Sequence, residues 1–492
     1  MYPIDGLQRL TYGFPRNRGQ KPKFQLIGYV ERRNLNWRCN QPVAPKVLLT
    51  DTSRWAGGAR LAIELSKVGC DVSALCPIPG HPLLKVRGVR KTFSYSSLRP
   101  VDALMAAIEA AEPQIVIPCD DRAVEHLHEL HAYARRPGTA GGPIARLIER
   151  SLGSPESYPI VSARYDLLRL AREERLHVPD TKRVNTLDDL RAWHAEKSAP
   201  SVLKADGTWG GNGVKIAQTP EEAEQFFLDL TRPVNLPGVM KRLIMNRDRF
   251  WLRTWWRHLK PALIVQSYVR GRPANCAVVC LEGRVLAGIC VEVVSAQQLK
   301  GPATVVRIVH NPQMILSAER IACRLGLSGF FGLDFMIEDG SNTAYLIEMN
   351  PRCTQLCHLR LGKGQDMIGA LYAQLTGEPL RETPPVTHND MIAYFPAAWN
   401  CWSEFVRSSF QDIPLGELEL IKELLGPSSE RSILGRIYDR RRRLTIGENA
   451  LKGHLFPTVV ARAKFSVLRQ NLESAPTNPE SGSSSRMRQD II

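Results

Sequence analysis

The chain has 492 residues, of which 43% are hydrophobic and 23% are charged, and its formal net charge is +16. This composition is typical of a globular protein of roughly two to four domains, and it excludes an intrinsically disordered chain. It also argues against a membrane-spanning protein, because no apolar run approaches the roughly 18 residues that a transmembrane helix needs.

The positive charge raises nucleic acid as a partner, since 65 Lys and Arg face 49 Asp and Glu. The excess gathers in the first forty residues, in 241–260 and in 440–443. A protein that binds anionic phosphates would carry the same surplus. We therefore do not favour nucleic acid as the main partner.

Eleven cysteines are scattered through the chain without a CxxC pair. Zinc sites and redox motifs use such pairs, so reduced thiols in a cytoplasmic protein are the simplest interpretation. Residues 1–45 are polar, basic and lack the apolar core of a secretion signal. They predict a poorly ordered extension and no secretion.

Residues 46–150 have the pattern of a Rossmann-like domain, with buried strands alternating with amphipathic helices. The fingerprint GxGxxG is absent, which disfavours a nicotinamide enzyme. Ligands of parallel sheets lie at the carboxyl ends of strands, so Asp120, Asp121 and Arg122, which follow a buried strand, are candidates for substrate contacts. The alternative is that Asp121 caps the next helix.

A glycine-rich loop, residues 206–213, joins two short strands after a Gly, Pro and Ser-rich boundary at 136–159. Glycines let the backbone approach a polyphosphate, and Lys204 just upstream could place its ammonium on the phosphate oxygens. The loop is not a P-loop, because GxxxxGK[ST] is missing. A flexible turn remains the alternative to a phosphate cover.

Residues 232–262 form a basic segment with Trp251, Trp255 and Trp256. Such segments can bind nucleic acid or a membrane surface. We favour a lid or surface helix whose tryptophans pack inward.

The segment from Gly329 to Arg352 predicts two strands joined by a polar turn, because apolar residues alternate on both sides of the turn. Pairing centred near Ser341 would set Asp334 opposite Glu348, with Asn350 on the same face. Two carboxylates and an amide oxygen suit Mg²⁺. The alternative is an ordinary solvated strand face.

The chain beyond residue 385 is less regular, with one predicted strand, one amphipathic helix and a tail of low hydrophobicity. The arginine cluster 440–443 is treated as a solvated face. The predicted divisions of the chain are a basic extension, a Rossmann-like domain, a two-subdomain domain, a C-terminal extension and a disordered tail, at 1–45, 46–150, 151–385, 386–472 and 473–492.

With these features in this order, the chain resembles the ATP-grasp superfamily from about Lys46 to Pro379. The strand GLDF followed by IEMNPR is the most specific part, and the glycine loop supports it. The resemblance implies a fold of class α/β, in which a Rossmann-like pre-ATP-grasp domain precedes a two-subdomain ATP-grasp fold with antiparallel sheets.

The resemblance also implies roles for particular residues. Arg352 and Lys204 would be catalytic, and Arg164 would contact phosphates where many members have Lys. Asp334, Glu348 and Asn350 would hold Mg²⁺, with Mn²⁺ as a substitute. The remaining nucleotide contacts would come from the flexible cover, Gly207, Gly210, Gly211 and Gly213, and from the hinge that reads adenine, Gln266, Ser267, Tyr268 and Val269, where Gln266 replaces a common Glu.

The implied activity is that of an ATP- and Mg²⁺-dependent ligase. Its partners would be a small-molecule carboxylate and an amine or thiol acceptor, joined through an acyl phosphate; a homo-oligomer is left open. Two alternatives remain: a non-catalytic ATP-binding regulatory module of the same fold, and a basic protein that binds nucleic acid or a membrane through the tryptophan-rich segment.

Overall fold

Three β-sheets organise the part of the chain that the computed structural model describes, namely residues 44–138, 140–205, 213–232, 262–297, 301–400 and 404–426. The strands are β1 (Lys46–Thr50), β2 (Asp71–Cys76), β3 (Val89–Ser94), β4 (Ile115–Pro118), β5 (Thr181–Arg183), β6 (Ser201–Ala205), β7 (Val214–Ala217), β8 (Leu263–Ser267), β9 (Gly271–Leu281), β10 (Arg284–Ala296), β11 (Ala303–Ile308), β12 (Gly329–Glu338), β13 (Ala344–Asn350), β14 (Met391–Tyr394) and β15 (Phe410–Asp412). The helices are α1 (Ala56–Lys67), α2 (Pro100–Ala111), α3 (Asp121–Ala134), α4 (Gly142–Leu152), α5 (Tyr158–Val161), α6 (Arg164–Glu173), α7 (Leu187–Glu196), α8 (Pro220–Thr231), α9 (Pro312–Leu325), α10 (Met367–Thr376), α11 (Ala397–Asn400) and α12 (Leu418–Leu425).

The first sheet is parallel, with strand order β3-β2-β1-β4, which confirms the Rossmann-like prediction. Its central strands carry buried apolar residues such as Leu48 and Ile117 on both faces, as a sheet covered by helices requires. Strand β3 was not predicted. It lies at the sheet edge, and its charged residues Arg90 and Lys91 are exposed, so the buried-strand pattern is absent there.

The second sheet is small and antiparallel, with strand order β5-β8-β6-β7. Helix α7 covers it after a capping box, in which the Thr186 hydroxyl accepts from the amide of Asp189. Helix α8 begins in the same way, with Thr219 accepting from the amide of Glu222. This unit carries Lys204 on β6.

The third sheet has seven strands in the order β13-β12-β9-β10-β11-β14-β15. Helices α6 and α9 share one buried apolar cluster with β9 and β12, and helices α1 and α10 lie in a second cluster with residues of β9 and β10. All pairs except β14 with β15 are antiparallel. The two antiparallel sheets confirm the predicted two-subdomain α/β fold.

The β12–β13 hairpin pairs Asp334 directly with Glu348, as predicted. The next pair towards the turn is Phe335 with Leu346, so Ile347 is an extra residue and forms a bulge. This bulge lets Leu346 join Phe335 in the core while Glu348 stays on the face of Asp334. The simple alternation in the sequence would have put Leu346 and Glu348 on one face.

The domain boundary predicted at 136–159 contains helix α4, whose apolar residues Ile148 and Leu152 are buried. Helix α3 is capped by Asp120 and not by Asp121, because the Asp120 carboxylate accepts from the amide of Ala123 at 2.8 Å.

Several predictions lie outside the described residues. These are the basic extension up to residue 43, most of the glycine loop, most of the tryptophan-rich segment, the arginine cluster and the C-terminal tail. Within the described ranges, every helix is too short or too polar to cross a bilayer.

Candidate functional site

An acidic centre lies on the face that β12 and β13 share. Strand pairing brings the carboxylates of Asp334 and Glu348 side by side, and Asn350 follows two residues later on β13. The amide of Asn350 donates to Oδ2 of Asp334 at 3.1 Å, and the amide of Asn275, on β9, donates to Oδ1 of the same carboxylate. The three predicted oxygen donors are therefore together.

Two cations approach Glu348 from other elements. Arg164, the first residue of α6, donates from Nε at 3.0 Å and lies with Nη2 at 2.9 Å from Oε2 of Glu348. Its Nη1 donates to the carbonyl of Ala205 at 3.3 Å, at the point where the glycine loop begins. Lys204, only 3% exposed on β6, also acts electrostatically on Glu348.

The two carboxylates have opposite pKa shifts, and their neighbours explain why. Burial would raise the pKa of Glu348, but Arg164, Lys204 and Arg352 outweigh it and lower this pKa below its ordinary value. Burial, together with the neighbouring Glu348 carboxylate, raises the pKa of Asp334 to about 6 despite the amide donors. A proton taken up by this pair binds to Asp334, because the neighbouring cations keep Glu348 ionised.

Arg352 occupies the opposite border of the acidic centre. Its Nη2 donates to Oδ1 of Asn350 at 3.1 Å, and its Nε donates to Oδ1 of Asp121 at 3.0 Å. Its guanidinium lies 5.1 Å from the ring centre of Trp55, a cation–π distance. Arg352 therefore joins the third sheet to the carboxyl edge of the parallel sheet.

The predicted hinge residues join two sheets. Gln266 is buried at the end of β8, where its amide donates to Thr181 at 3.0 Å, and β9 begins at Gly271 in the seven-stranded sheet. The N–H groups of Ser267 and Tyr268 donate to the carbonyls of Asp180 and Pro200. Residues 267–270 are thus the link between the two antiparallel sheets.

Of the predicted cover glycines, Gly213 is described. Its carbonyl accepts from the amide of Ala205 at 3.0 Å and closes the base of the β6–β7 connection. Gly207, Gly210 and Gly211 lie outside the described residues.

The donor set fits a hard divalent cation. Among the described residues no group of three or more His, Cys, Asp and Glu side chains could hold a metal, so this centre has two carboxylates and takes its third oxygen from Asn350. The raised pKa of Asp334 marks a buried carboxylate with too little positive charge around it. Oxygen ligands and a partly open shell are what Mg²⁺ requires.

Sequence reasoning missed two contributors to this centre. Asn275 pairs with Asp334 across β9 and β12, a neighbourhood that no short-range pattern encodes. Trp55 precedes α1 in the first domain and reaches Arg352 nearly 300 residues later in the chain. Asp121 was considered as a substrate contact or cap, whereas it pairs with Arg352.

Comparisons with known proteins found similar sequences and structures. A model of the ATP-grasp domain matches residues 163–355, a range that includes Arg164, Lys204, Asp334, Glu348 and Arg352. The carbamoyl phosphate synthase arginine-specific large chain of Geobacillus stearothermophilus is 25% identical over 283 residues, which are 57% of this chain and 25% of that protein. The chain thus spans about a quarter of that relative's length.

Two solved structures are similar to this chain at low sequence identity. The ADP complex of N5-carboxyaminoimidazole ribonucleotide synthetase is 15% identical with a TM-score of 0.48, covering 70% of this chain and 81% of that one. The biotin carboxylase domain of Hydrogenobacter thermophilus 2-oxoglutarate carboxylase is 13% identical with a TM-score of 0.49, covering 69% and 71%.

Proposed function

We propose that this chain is an ATP- and Mg²⁺-dependent ligase that joins a carboxylate to an amine or a thiol, and the match of residues 163–355 to a model of the ATP-grasp domain supports the proposal. The observation that carries the proposal is the acidic centre itself. Asp334 and Glu348 are paired across two strands, and Arg164, Lys204 and Arg352 surround them. A centre of this kind suits a polyphosphate with its counter-cation better than it suits an uncharged ligand.

Each charged residue has a separate role in this proposal. Asp334, Glu348 and Asn350 would hold Mg²⁺, which offsets the negative charge of the ATP phosphates when bound. Arg164 and Lys204, on the side of the glycine loop, contact phosphate oxygens. Arg352, on the opposite side, faces the transferred phosphoryl group.

The proposed reaction has two steps. An oxygen of the substrate carboxylate attacks the γ-phosphorus, and the bond from that phosphorus to ADP breaks, giving an acyl phosphate. The amine nitrogen or thiol sulfur then attacks the acyl carbon, the carbon–oxygen bond to phosphate breaks, and the attacking group gives up a proton. Negative charge develops on oxygens in both steps, where fixed cations stabilise it.

Adenine would lie against the link at residues 266–269. The N–H groups of Ser267 and Tyr268 already donate within the protein, so their carbonyls and the backbone of Val269 are the groups proposed to read adenine. The glycines at 207, 210, 211 and 213 would cover the phosphates and keep water from the acyl phosphate.

Calorimetry of ATP binding with and without Mg²⁺ tests the proposal. We expect Mg²⁺ to strengthen ATP binding by about tenfold or more in the natural chain and to give no such gain in Glu348→Ala, because a ligand of the cation is lost. The matched control is Asp339→Asn, which removes an exposed carboxylate from the same hairpin.

ATP binding that ignores Mg²⁺ in the natural chain would overturn the metal assignment. When the gain is present, pools of carboxylates with amines or thiols are screened for release of ADP and phosphate. Mg²⁺-dependent binding with no turnover in any pool favours the regulatory module over the ligase.

A further inference from the structure

We infer that Asp121 and Trp55, both from the parallel-sheet domain, are positioning residues that hold Arg352 in the orientation the reaction needs. The inference rests on the proposed function and extends it to two residues outside the matched ATP-grasp region. It implies that the first domain helps to build the phosphoryl site in addition to bordering it.

Arg352 is held from several sides. Its Nε donates to Asp121 at 3.0 Å, its Nη2 donates to Asn350 at 3.1 Å and its Nη1 donates to the carbonyl of Cys353 at 3.3 Å. These contacts engage three of the five guanidinium N–H donors. Among the described residues, one N–H on each of Nη1 and Nη2 remains for a ligand, a fork that suits two oxygens of a phosphoryl group.

Asp121 lies in the first turn of α3, and the hydrogen bond described for its carboxylate is the one to Arg352. The cap of α3 is the neighbouring Asp120, whose carboxylate accepts from the amide of Ala123. The carboxylate of Asp121 is consequently directed to Arg352, at a partly buried site where a charge-assisted hydrogen bond is strong. Burial lowers the pKa of Arg352, but Asp121 in first place, with Cys353 and Asp334, outweighs this and raises the pKa above its ordinary value.

A hydrogen-bond network anchors the start of the loop that leads to Trp55. Asp120 accepts from the amides of Thr52 and Ser53, at 2.5 and 3.1 Å, and Asp51 accepts from the amide of Ser53 at 3.0 Å. The fully buried His81 contacts the carbonyl of Ser53 at 2.6 Å. The loop that leads to Trp55 is thus anchored at Thr52 and Ser53, and the indole of Trp55 lies 5.1 Å from the guanidinium of Arg352.

The consequence concerns the third phosphoryl group of the nucleotide. An arginine that is free to rotate loses conformational freedom when it binds an anion, whereas one held by Asp121 and Trp55 has already lost it. Loss of either residue should weaken contacts to the γ-phosphoryl group and leave contacts to ADP unchanged.

The test compares MgATP with MgADP binding to the full chain by calorimetry. We expect Asp121→Asn to reduce the preference for ATP over ADP by about tenfold, the effect of losing one charge-assisted hydrogen bond. We expect Trp55→Leu to reduce it by several-fold, and Trp55→Phe to retain most of it because a ring remains. Asp339→Asn, which removes an exposed aspartate paired with Arg272, is the control and leaves the preference unchanged.

The decisive measurement repeats Asp121→Asn in an Arg352→Ala background. A positioning residue acts only through Arg352, so its effect vanishes there, whereas a merely structural role persists in both backgrounds. An equal effect in both backgrounds, or no effect in either, overturns the inference. Where Asp121→Asn fails to fold, Trp55→Leu in the same two backgrounds decides it.

The two proposals fail in different ways. A natural chain that binds neither nucleotide contradicts the proposed function. A natural chain that prefers MgATP, with a preference that ignores both Asp121 and Trp55, contradicts only the positioning role.

Discussion

At the scale of single residues, the site is defined by how charge is divided between two neighbouring carboxylates. Glu348 forms an ion pair with Arg164 and interacts electrostatically with Lys204. Asp334 instead accepts hydrogen bonds from the side-chain amides of Asn275 and Asn350. Amide donors stabilise a carboxylate less than a full positive charge does. Asp334 is therefore the position at which an added cation relieves most of the electrostatic strain.

Arg164 is the cation that links the acidic centre to the base of the glycine loop. Its guanidinium reaches both Glu348 and the carbonyl of Ala205, a bridge that a single ammonium does not reproduce. We expect Arg164→Met to weaken MgATP binding by about tenfold and to leave adenosine binding unchanged, and Arg164→Lys to be intermediate. Calorimetry with both ligands measures this.

Tighter MgATP binding by Arg164→Met would contradict the proposed phosphate contact. If Arg164 serves only to neutralise Glu348, its removal frees a metal ligand, and Arg164→Met binds MgATP more tightly. Exchange of an exposed arginine of the same domain, Arg191→Met, is the matched control, because Arg191 pairs with Glu224 away from the acidic centre.

At the scale of elements, the β12–β13 hairpin carries the site, and its irregularities are what make it suitable. The bulge at Ile347 directs Leu346 into the core and Glu348 towards Asp334. Gly332, which pairs with Asn350, lets the segment after β13 pass close to the sheet. A Cβ at Gly332 would lie 2.6 Å from Cγ2 of Thr354, so no larger residue fits without a shift.

The element-scale prediction is that Gly332→Ala displaces the segment that carries Arg352. We expect a loss of about 1–3 kcal/mol in the free energy of unfolding from overpacking. The preference for MgATP over MgADP should fall as well, because Arg352 lies two residues from Thr354. Thermal unfolding and calorimetry measure the two effects.

Gly416→Ala is the control for that experiment, because nothing lies within 4 Å of a Cβ at Gly416. Equal stability of Gly332→Ala and the natural chain would contradict the close-packing argument. A loss of stability with an unchanged nucleotide preference would contradict the link to Arg352.

At the scale of the whole molecule, the described residues 386–400 and 404–426 pack onto the rest of the fold. Strands β14 and β15 extend the seven-stranded sheet, and α12 follows them. Asp412 on β15 pairs with Arg60 of α1 and accepts from His358 at 2.8 Å. One buried carboxylate thus connects the first domain, the segment after the hairpin and the C-terminal strands.

The whole-molecule prediction concerns this buried network. Burial would raise the pKa of Asp412, but Arg60 and His358 hold it well below its usual range. Asp412→Asn leaves Arg60 buried without its charged partner, and we expect a loss of about 3–5 kcal/mol at pH 7. Chemical denaturation at several pH values measures this loss.

The sign of the pH dependence follows from the lowered pKa. The charged network stabilises the fold fully above the unfolded pKa of about 4, and this contribution declines as the pH falls through the folded value. The difference between the natural chain and Asp412→Asn should therefore narrow below about pH 4. Asp390→Asn, at an exposed pair with Arg307, is the control; a difference constant with pH would contradict the assignment.

The type and order of most elements, and the strand pairing at the centre of the site, could be predicted from the amino-acid sequence. Alternation on both sides of a polar turn was enough to predict the hairpin and the pairing of Asp334 with Glu348, because local periodicity and turn position set the register of an antiparallel pair. The parallel sheet was also predicted, because buried strands and amphipathic helices alternate along the chain. Edge strand β3 was not predicted, because its exposed charged residues interrupt the apolar pattern of a buried strand.

Contacts between residues far apart in the chain could not be predicted in this way. Asn275 reaches Asp334 through the order of strands, and Trp55 and Asp121 reach Arg352 where two sheets face each other. Arg60 pairs with Asp412, which lies 352 residues later in the chain. Such contacts depend on how elements pack in space, and a single sequence carries no local signal for partners that are hundreds of residues apart.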